Sequence, residues 1–187
     1  MYIVKTVPIT FALFVYQISN QLYGTGFVHF EIISTDMAKQ SAGILVYRKG
    51  KETEVFLIHP GGPFFARKDD GVWSVPKGEY EPEEDPLHAA KREFEEETSQ
   101  KINGDFIPLL PVKQKGGKVV RVWAVEGEVD ADSIVSNTFQ LAWPPHSNKI
   151  QTFPEVDKGA WFPLDIAREK INAGQIPLLD QLSVLIE

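Results

Sequence analysis

Hydrophobic positions change their period along this chain, and the changes mark its elements. Residues 42–48 (AGILVYR) form a compact β-rich run, and residues 54–59 (EVFLIH) form a second across the polar turn 49–53. Together they predict a hairpin or neighbouring strands of a mixed sheet. Pro60-Gly61-Gly62-Pro63 then enforces a turn. The next segment, residues 64–71 (FFARKDDG), predicts a loop that carries exposed aromatics beside Arg67 and Lys68, and residues 72–76 predict a short strand that delivers Lys77 and Gly78. Residues 106–114 and 118–125 predict two further strands on either side of Lys115-Gly116-Gly117-Lys118, a hairpin-turn composition. Val120, Val122 and Ala124 alternate there with Arg121 and Trp123, so one face of that strand presents the larger polar and aromatic groups.

Beyond this point the signal weakens and then returns. Residues 136–150 hold Trp143-Pro144-Pro145-His146, which predicts an extended, turn-rich segment that cannot continue a central strand. Residues 160–162 (AWF) are strand-like. Leu164, Ala167 and Ile171 then lie on one helical stripe that ends at Asn172-Ala173-Gly174, and Leu178 or Leu179, Leu182 and Leu185 form another behind Pro177. Both stripes are predicted to cover one side of the sheet.

The remaining periodic segment, residues 78–98 (GEYEPEEDPLHAAKREFEEET), carries the chemistry. Asp85-Pro86 signals a helix start: an Asp carboxylate accepts from orphan amides, and Pro at the first helical position loses no hydrogen bond. Leu87, Ala90 and Phe94 recur at helical spacing and face the opposite side of the sheet, which leaves Glu93, Glu96 and Glu97 at i, i+3 and i+4 on a different face. Close carboxylates repel and weaken an isolated helix. A hard divalent cation converts that liability into a binding site, because Mg²⁺ and Mn²⁺ take oxygen ligands and keep room for water and phosphate. Arg92 is placed to pair with Glu84 or a helix carboxylate and hold it in one rotamer. Nine of the chain's 26 acidic residues lie between Glu79 and Glu97, and a charge run by itself is ordinarily a solvated face. The fixed offsets of Gly78, Glu84 and Arg92 favour the metal site, since a solvated face has no need of them.

Gly78, five residues, Glu84, seven residues, then Arg92-Glu93-Phe94-Glu95-Glu96-Glu97 resembles the signature of the Nudix hydrolases, which here spans residues 78–100. The resemblance implies an α/β/α sandwich with a mixed β-sheet over roughly residues 38–187. It implies hydrolysis of a pyrophosphate bond in a nucleoside diphosphate-linked substrate, dependent on Mg²⁺ or Mn²⁺. The Pro76-Lys77-Gly78 step is similar to the dinucleoside polyphosphate hydrolase branch, which makes a dinucleoside polyphosphate or related nucleotide the expected substrate.

On that reading Gly78 (through its carbonyl), Glu93, Glu96 and Glu97 bind metal, while Arg92 and Glu84 orient them. Lys77 at the site mouth and Arg67 contact phosphate, and Glu155, with Asp157 behind it, is the candidate base or additional ligand. Glu96 and Glu97 are expected to be solvated before metal binds. Ser99 and Gln100 depart from the usual Gly-aliphatic pair, and a non-Gly residue in a left-handed helix cap is strained. The alternative is a Nudix-fold nucleotide sensor or interaction module without catalysis; such proteins lose signature carboxylates, whereas Glu84, Glu93, Glu96 and Glu97 are all present.

Bulk properties narrow the partners. A chain of 187 residues with 43% apolar and 24% charged residues suits one domain with an ordinary core. Net charge −7 argues against stable nucleic-acid binding, which wants a basic stripe, so a small anionic substrate must be met by local cations or metal. The absence of Cys excludes disulfides, thiolate metal sites and cysteine nucleophiles. Residues 1–36 read as an N-terminal appendage or leader ahead of the domain at 37–187. Their apolar run, residues 8–15 (PITFALFV), is too short for a bilayer, which needs about 20 residues, and no small-residue cleavage site follows it. A cytoplasmic location without membrane attachment is the expectation; oligomeric state has no signal in the sequence.

Overall fold

A computed structural model describes residues 40–114 and 116–186; the readings of residues 1–36 lie outside the described residues. Strands β1 (Gln40–Arg48) and β2 (Glu54–Pro60) are the two runs read from the pattern. Both are buried along nearly their whole length, as strands covered on both faces must be. After them come β3 (Lys77–Glu79), helix α1 (Pro86–Thr98), and the short strands β4 (Ile107–Pro108) and β5 (Val112–Lys113). Strand β6 (Val119–Glu126), the hairpin strands β7 (Thr138–Ala142) and β8 (Ile150–Pro154), and β9 (Val156–Pro163) follow. Helices α2 (Leu164–Lys170) and α3 (Ile176–Ile186) close the chain.

Among the described residues the main sheet is mixed and seven-stranded, in the order β4-β6-β1-β2-β9, with β3 also on β1 and β5 also on β6. β1 runs parallel to β6, and β2 pairs antiparallel with both β1 and β9. Period-2 alternation sorts its side chains between two layers. Ala42, Ile44, Val46, Phe56 and Ile58 meet Ala89, Ala90 and Phe94 of α1. Leu45, Val55 and Leu57 meet Ala167 of α2 and Leu178, Leu179 and Leu182 of α3 on the other side. The expected α/β/α sandwich is therefore present, with the acidic helix on the face opposite α2 and α3.

Two local patterns resolve differently from their reading. The segment 72–76 is not a continuous strand: Trp73 and Ser74 make only isolated bridges, and the strand proper begins at Lys77. Residues 106–114 form two short pieces rather than one. Residues 136–154, by contrast, form a separate two-stranded antiparallel sheet, β7-β8, whose loop holds the Trp143-Pro144-Pro145 run. That agrees with the exclusion of this region from the central sheet.

One feature of the sheet positions the site. β2 pairs with β1 only at Tyr47 and Arg48, while the N-terminal half of β1 pairs with β3 through Ser41, Ala42 and Gly43. Residues 73–79 thus wedge between two diverging strands: the Ile44 amide donates to the Pro76 carbonyl at 3.0 Å, and Ile58 and Ser74 exchange bonds of 2.9 and 3.0 Å. Gly43 permits the wedge. A Cβ there would stand 2.5 Å from both the Lys77 Cβ and the Pro76 oxygen, a distance no packing tolerates.

Candidate metal and substrate site

The wedge carries Lys77 and Gly78 directly onto the inner face of α1. The helix is set by its start: Asp85 accepts from the His88 amide at 2.9 Å and Pro86 occupies the first turn. With Ala90 and Phe94 pinned in the core, Glu93 and Glu97 turn toward the wedge. Gly78 lies so close to Glu93 that a Cβ would stand 1.8 Å from Oε2; only glycine leaves room for the carboxylate. The Lys77 amide donates to Glu97 Oε2 at 2.7 Å.

Arg92 organises the other half. Its Nε and Nη2 donate to Glu84 at 3.1 Å each, a fork-to-carboxylate pairing, and Nη1 reaches Glu93 Oε1 at 2.6 Å and Glu96 Oε1 at 3.2 Å. These bonds, with Glu84 first, raise the Arg92 pKa and lower that of Glu84. Arg92 thus ties the loop carboxylate to the helix carboxylates.

The acids differ in surroundings. The Glu96 side chain is 40% exposed and that of Glu93 only 13%. Burial raises the Glu93 pKa, with Arg92 opposing it and Glu96 and Glu155 adding to it. Glu97 is pushed up to about 8, chiefly by burial, with Glu93 and Glu155 adding repulsion and Lys77 opposing. The expectation that Glu97 is solvated is therefore corrected: the core residues that flank it on α1 seat its carboxylate against β3, where Glu93 is half-buried beside it. Lys77 is likewise half-buried rather than standing at an open mouth, and desolvation lowers its pKa against the pull of Glu97.

A cleft of about 280 Å³ opens beside the end of β2 and the wedge, lined there by Ile58, Pro60, Ser74 and Lys77. Lys77, Glu97 and Glu155 share its lining with Phe65, Gln114 and Asn172. Glu155 comes from the junction of β8 and β9, and its backbone is held on both sides: its amide donates to the Asn137 carbonyl at 2.8 Å, and its carbonyl accepts from the Gly61 amide at 2.8 Å. The Asn137 amide in turn donates to the Glu96 carbonyl at 3.2 Å, so the end of the acidic helix positions Glu155. Asp157, expected behind it, is engaged with His59 Nδ1 at 2.7 Å. Arg67 is exposed and is not among the residues of the cleft wall. Arg121 is exposed and Trp123 packs against the helix-side core, so neither faces the cleft. Phe65, Gln114, Asn172 and the anchor Asn137 escaped the sequence reading; of these only Phe65 lay in a segment marked by its aromatics.

Ser99 and Gln100, the departures from the signature, have structural roles. Ser99 takes the left-handed conformation (φ 56°, ψ 22°) that glycine would usually supply, and its hydroxyl donates to the Val135 carbonyl at 2.7 Å. Gln100 exchanges two bonds with the Asp130 backbone, at 2.8 and 2.9 Å. Both fasten the connection that leads to Asn137 onto the helix end.

The donor set fits a hard divalent cation: carboxylate oxygens, two of them on half-buried groups that repel one another, with the glycine backbone pressed against one. Among the described residues no three His, Asp or Glu side chains already form a closed metal-binding group; the Arg92 guanidinium bridges Glu93 and Glu96 instead.

A family model for the NUDIX domain matches residues 37–182. The chain belongs to the NUDIX domain family. Its reaction class is that of a Nudix pyrophosphohydrolase, the cleavage of a pyrophosphate bond. Similar solved structures include a C. elegans Ap4A hydrolase in a binary complex, at 24% identity and TM-score 0.52, covering 80% of this chain and 98% of that one. The NUDIX domain of Shewanella oneidensis NrtR, complexed with ADP ribose, is similar at 15% identity and TM-score 0.56, covering 85% and 95%. A mutT/nudix family protein from Listeria innocua is similar at 17% identity and TM-score 0.52, covering 79% and 93%. At these identities the likeness shows the shared Nudix fold. No curated protein gives a significant sequence match. Among the described residues no helix is long and apolar enough to cross a membrane.

Proposed function

We propose that this Nudix protein is a divalent-cation-dependent hydrolase of nucleoside diphosphate-linked pyrophosphates, with a dinucleoside polyphosphate or related nucleotide as substrate. One observation carries the reading: Glu97 accepts from the Lys77 amide on the wall of the cleft while Arg92 ties Glu84 to Glu93 and Glu96 beside it. A purely structural acidic helix requires neither the cleft nor the fork.

Glu93, Glu96, Glu97 and the Gly78 backbone would hold Mg²⁺ or Mn²⁺, and Arg92 with Glu84 would keep the glutamates in register. The cation, when bound, neutralises phosphoryl oxygens and makes water a better nucleophile. Lys77 sets a positive charge beside the phosphate chain. Glu155, repelled by Glu93 and Glu97 and fixed through Asn137, accepts the proton as the water oxygen bonds to phosphorus and the anhydride oxygen departs with its electron pair. Arg67 would reach phosphate only by moving from its exposed position. The full set of signature carboxylates, each with a defined partner, favours an enzyme over a sensor that has lost catalysis.

The test is a screen of nucleotide pyrophosphates with Mg²⁺ or Mn²⁺ and product identification, run beside Glu96→Gln and Glu155→Gln. Cation-dependent cleavage that both variants impair is expected. Absence of cleavage for every nucleotide, or undiminished turnover in both variants, sinks the assignment.

A further inference from the structure

We propose that Phe64 and Trp143 form a platform for the nucleobase of the substrate, making the β7-β8 hairpin the element that favours a nucleotide over a base-free polyphosphate; this rests on the nucleotide reading above. The turn after β2 serves two structures at once. Pro60 and Phe65 line the cleft, whereas Gly62 and Phe64, between them, face the hairpin: a Cβ on Gly62 would stand 2.9 Å from Phe139 Cζ, and the Phe64 ring meets Trp143 edge-on at 5.4 Å. The hairpin returns to the cleft at its other end, since Pro154 abuts Gly61 and the next residue, Glu155, lines the wall.

Alternation along β7 puts Phe139 and Leu141, then Trp143 just beyond it, on one half-buried face, with Phe153 paired opposite Phe139 at 6.0 Å. The cluster belongs to neither core layer of the sandwich. The cluster leaves ring surface open to solvent, with Phe64 58% exposed and Trp143 only half-buried. The turn between Phe64 and the cleft is aromatic at Phe65 and cationic at Lys68, whose ammonium lies 5.3 Å from the Phe65 ring. A ligand with its phosphates at Glu97 and Lys77 that extends along the hairpin, five strand residues from the Glu155 end to Trp143, meets apolar, π-bearing surface there. A nucleobase has the flat π-face that an aromatic edge and face accept without regard to hydrogen-bond pattern.

The experiment measures binding and turnover separately in the full chain with Mg²⁺. Calorimetry compares a nucleoside diphosphate with ribose 5-diphosphate, and kinetics compare a dinucleoside polyphosphate with its base-free ribosyl counterpart, for wild type, Phe64→Ala, Trp143→Ala and Trp143→Phe. Phe64→Ala alters an exposed ring and leaves the fold as it is. Phe64→Ala and Trp143→Ala are each expected to weaken nucleotide binding and raise KM about tenfold, with kcat and base-free ligands unaffected, while Trp143→Phe retains most of the affinity. Wild-type affinity for the nucleoside diphosphate in Phe64→Ala, or equal losses for base-free ligands, overturns the platform. Failure of the wild type to cleave any nucleotide overturns the proposed function instead, whatever the calorimetry gives.

Discussion

The Lys77 amide and the Glu97 carboxylate meet at 2.7 Å, joining the strand wedge to the acidic helix at the wall of the cleft. Burial holds the Glu97 pKa near 8, above its ordinary 4.5. A raised carboxyl pKa means that the folded, metal-free protein keeps a proton there which the unfolded chain has released. Stability from this group is therefore greatest below the unfolded value and is lost as pH rises toward about 8. Glu97→Gln keeps an acceptor for the amide but cannot ionise. In chelator the difference in Tm between variant and wild type should move in favour of Gln from pH 5 to pH 8. The variant should also lose the stabilisation that Mg²⁺ gives the wild type, and its activity should fall by more than the roughly 10–100-fold that an outer-shell partner costs. A Tm difference independent of pH would refute the burial argument; retained Mg²⁺ stabilisation would refute the ligand assignment.

Arg92 bridges Glu84, Glu93 and Glu96 with three of its donors. Lysine brings the charge without the fork, so Arg92→Lys can satisfy one carboxylate and leaves the 13%-exposed Glu93 side chain or the loop acid Glu84 unpaired. The cation affinity of Arg92→Lys, read from Mg²⁺ titrations of activity, should fall roughly 10–100-fold. An Arg92→Lys variant with the wild-type Mg²⁺ curve would show that charge alone suffices and that the fork has no positioning role.

Much of this arrangement was legible because it depends on local order. Asp85-Pro86 fixes where the helix starts, and the Gly78, Glu84 and Arg92 offsets fix which carboxylates share a side. The compact β-rich runs at residues 42–48 and 54–59 mark the two central strands. The parts that were missed depend on distant partners. Nothing near Ser74 in sequence announces its exchange with Ile58, which seats residues 73–79 beside β2 on the cleft wall. The burial of Glu97 follows from that same wedge, and the anchoring of Glu155 runs through Asn137 to a helix carbonyl. Arg67 carries the right charge in a suggestive loop, but a turn residue's direction is set by what its neighbours bury.

Ser99 ends α1 in a conformation that costs a non-glycine residue about 1–2 kcal/mol, while its hydroxyl bond to Val135 returns about 1 kcal/mol. Ser99→Ala and Ser99→Gly both remove the bond, and only Gly relieves the strain, less the extra freedom it gives the unfolded chain. Gly should therefore be more stable than Ala by about 0.5–1 kcal/mol in denaturant unfolding, with Ala below wild type by about 1 kcal/mol. An Ala variant as stable as Gly would mean that the helix end relaxes out of the left-handed region.

His59, buried in β2, fastens the aromatic loop to β9: Nδ1 lies 2.7 Å from Asp157 Oδ1 and Nε2 lies 2.8 Å from the Lys68 carbonyl. Trp73 packs edge-on against the same ring at 5.2 Å. The loop so held includes Phe65, and Asp157 follows directly on the cleft residues Glu155 and Val156, so one side chain spans both walls. His59→Phe keeps an aromatic ring beside Trp73 and removes both bonds. Asp157 is partly exposed and turns to water; the Lys68 carbonyl loses a buried partner, at a cost of about 1–3 kcal/mol. Amide exchange across residues 65–70 should accelerate in this variant, and KM should rise with kcat little changed, because the loop shapes the cleft without touching the reacting atoms. Loop amides exchanging as in the wild type, with KM unaltered, would show that the loop holds its place without this histidine.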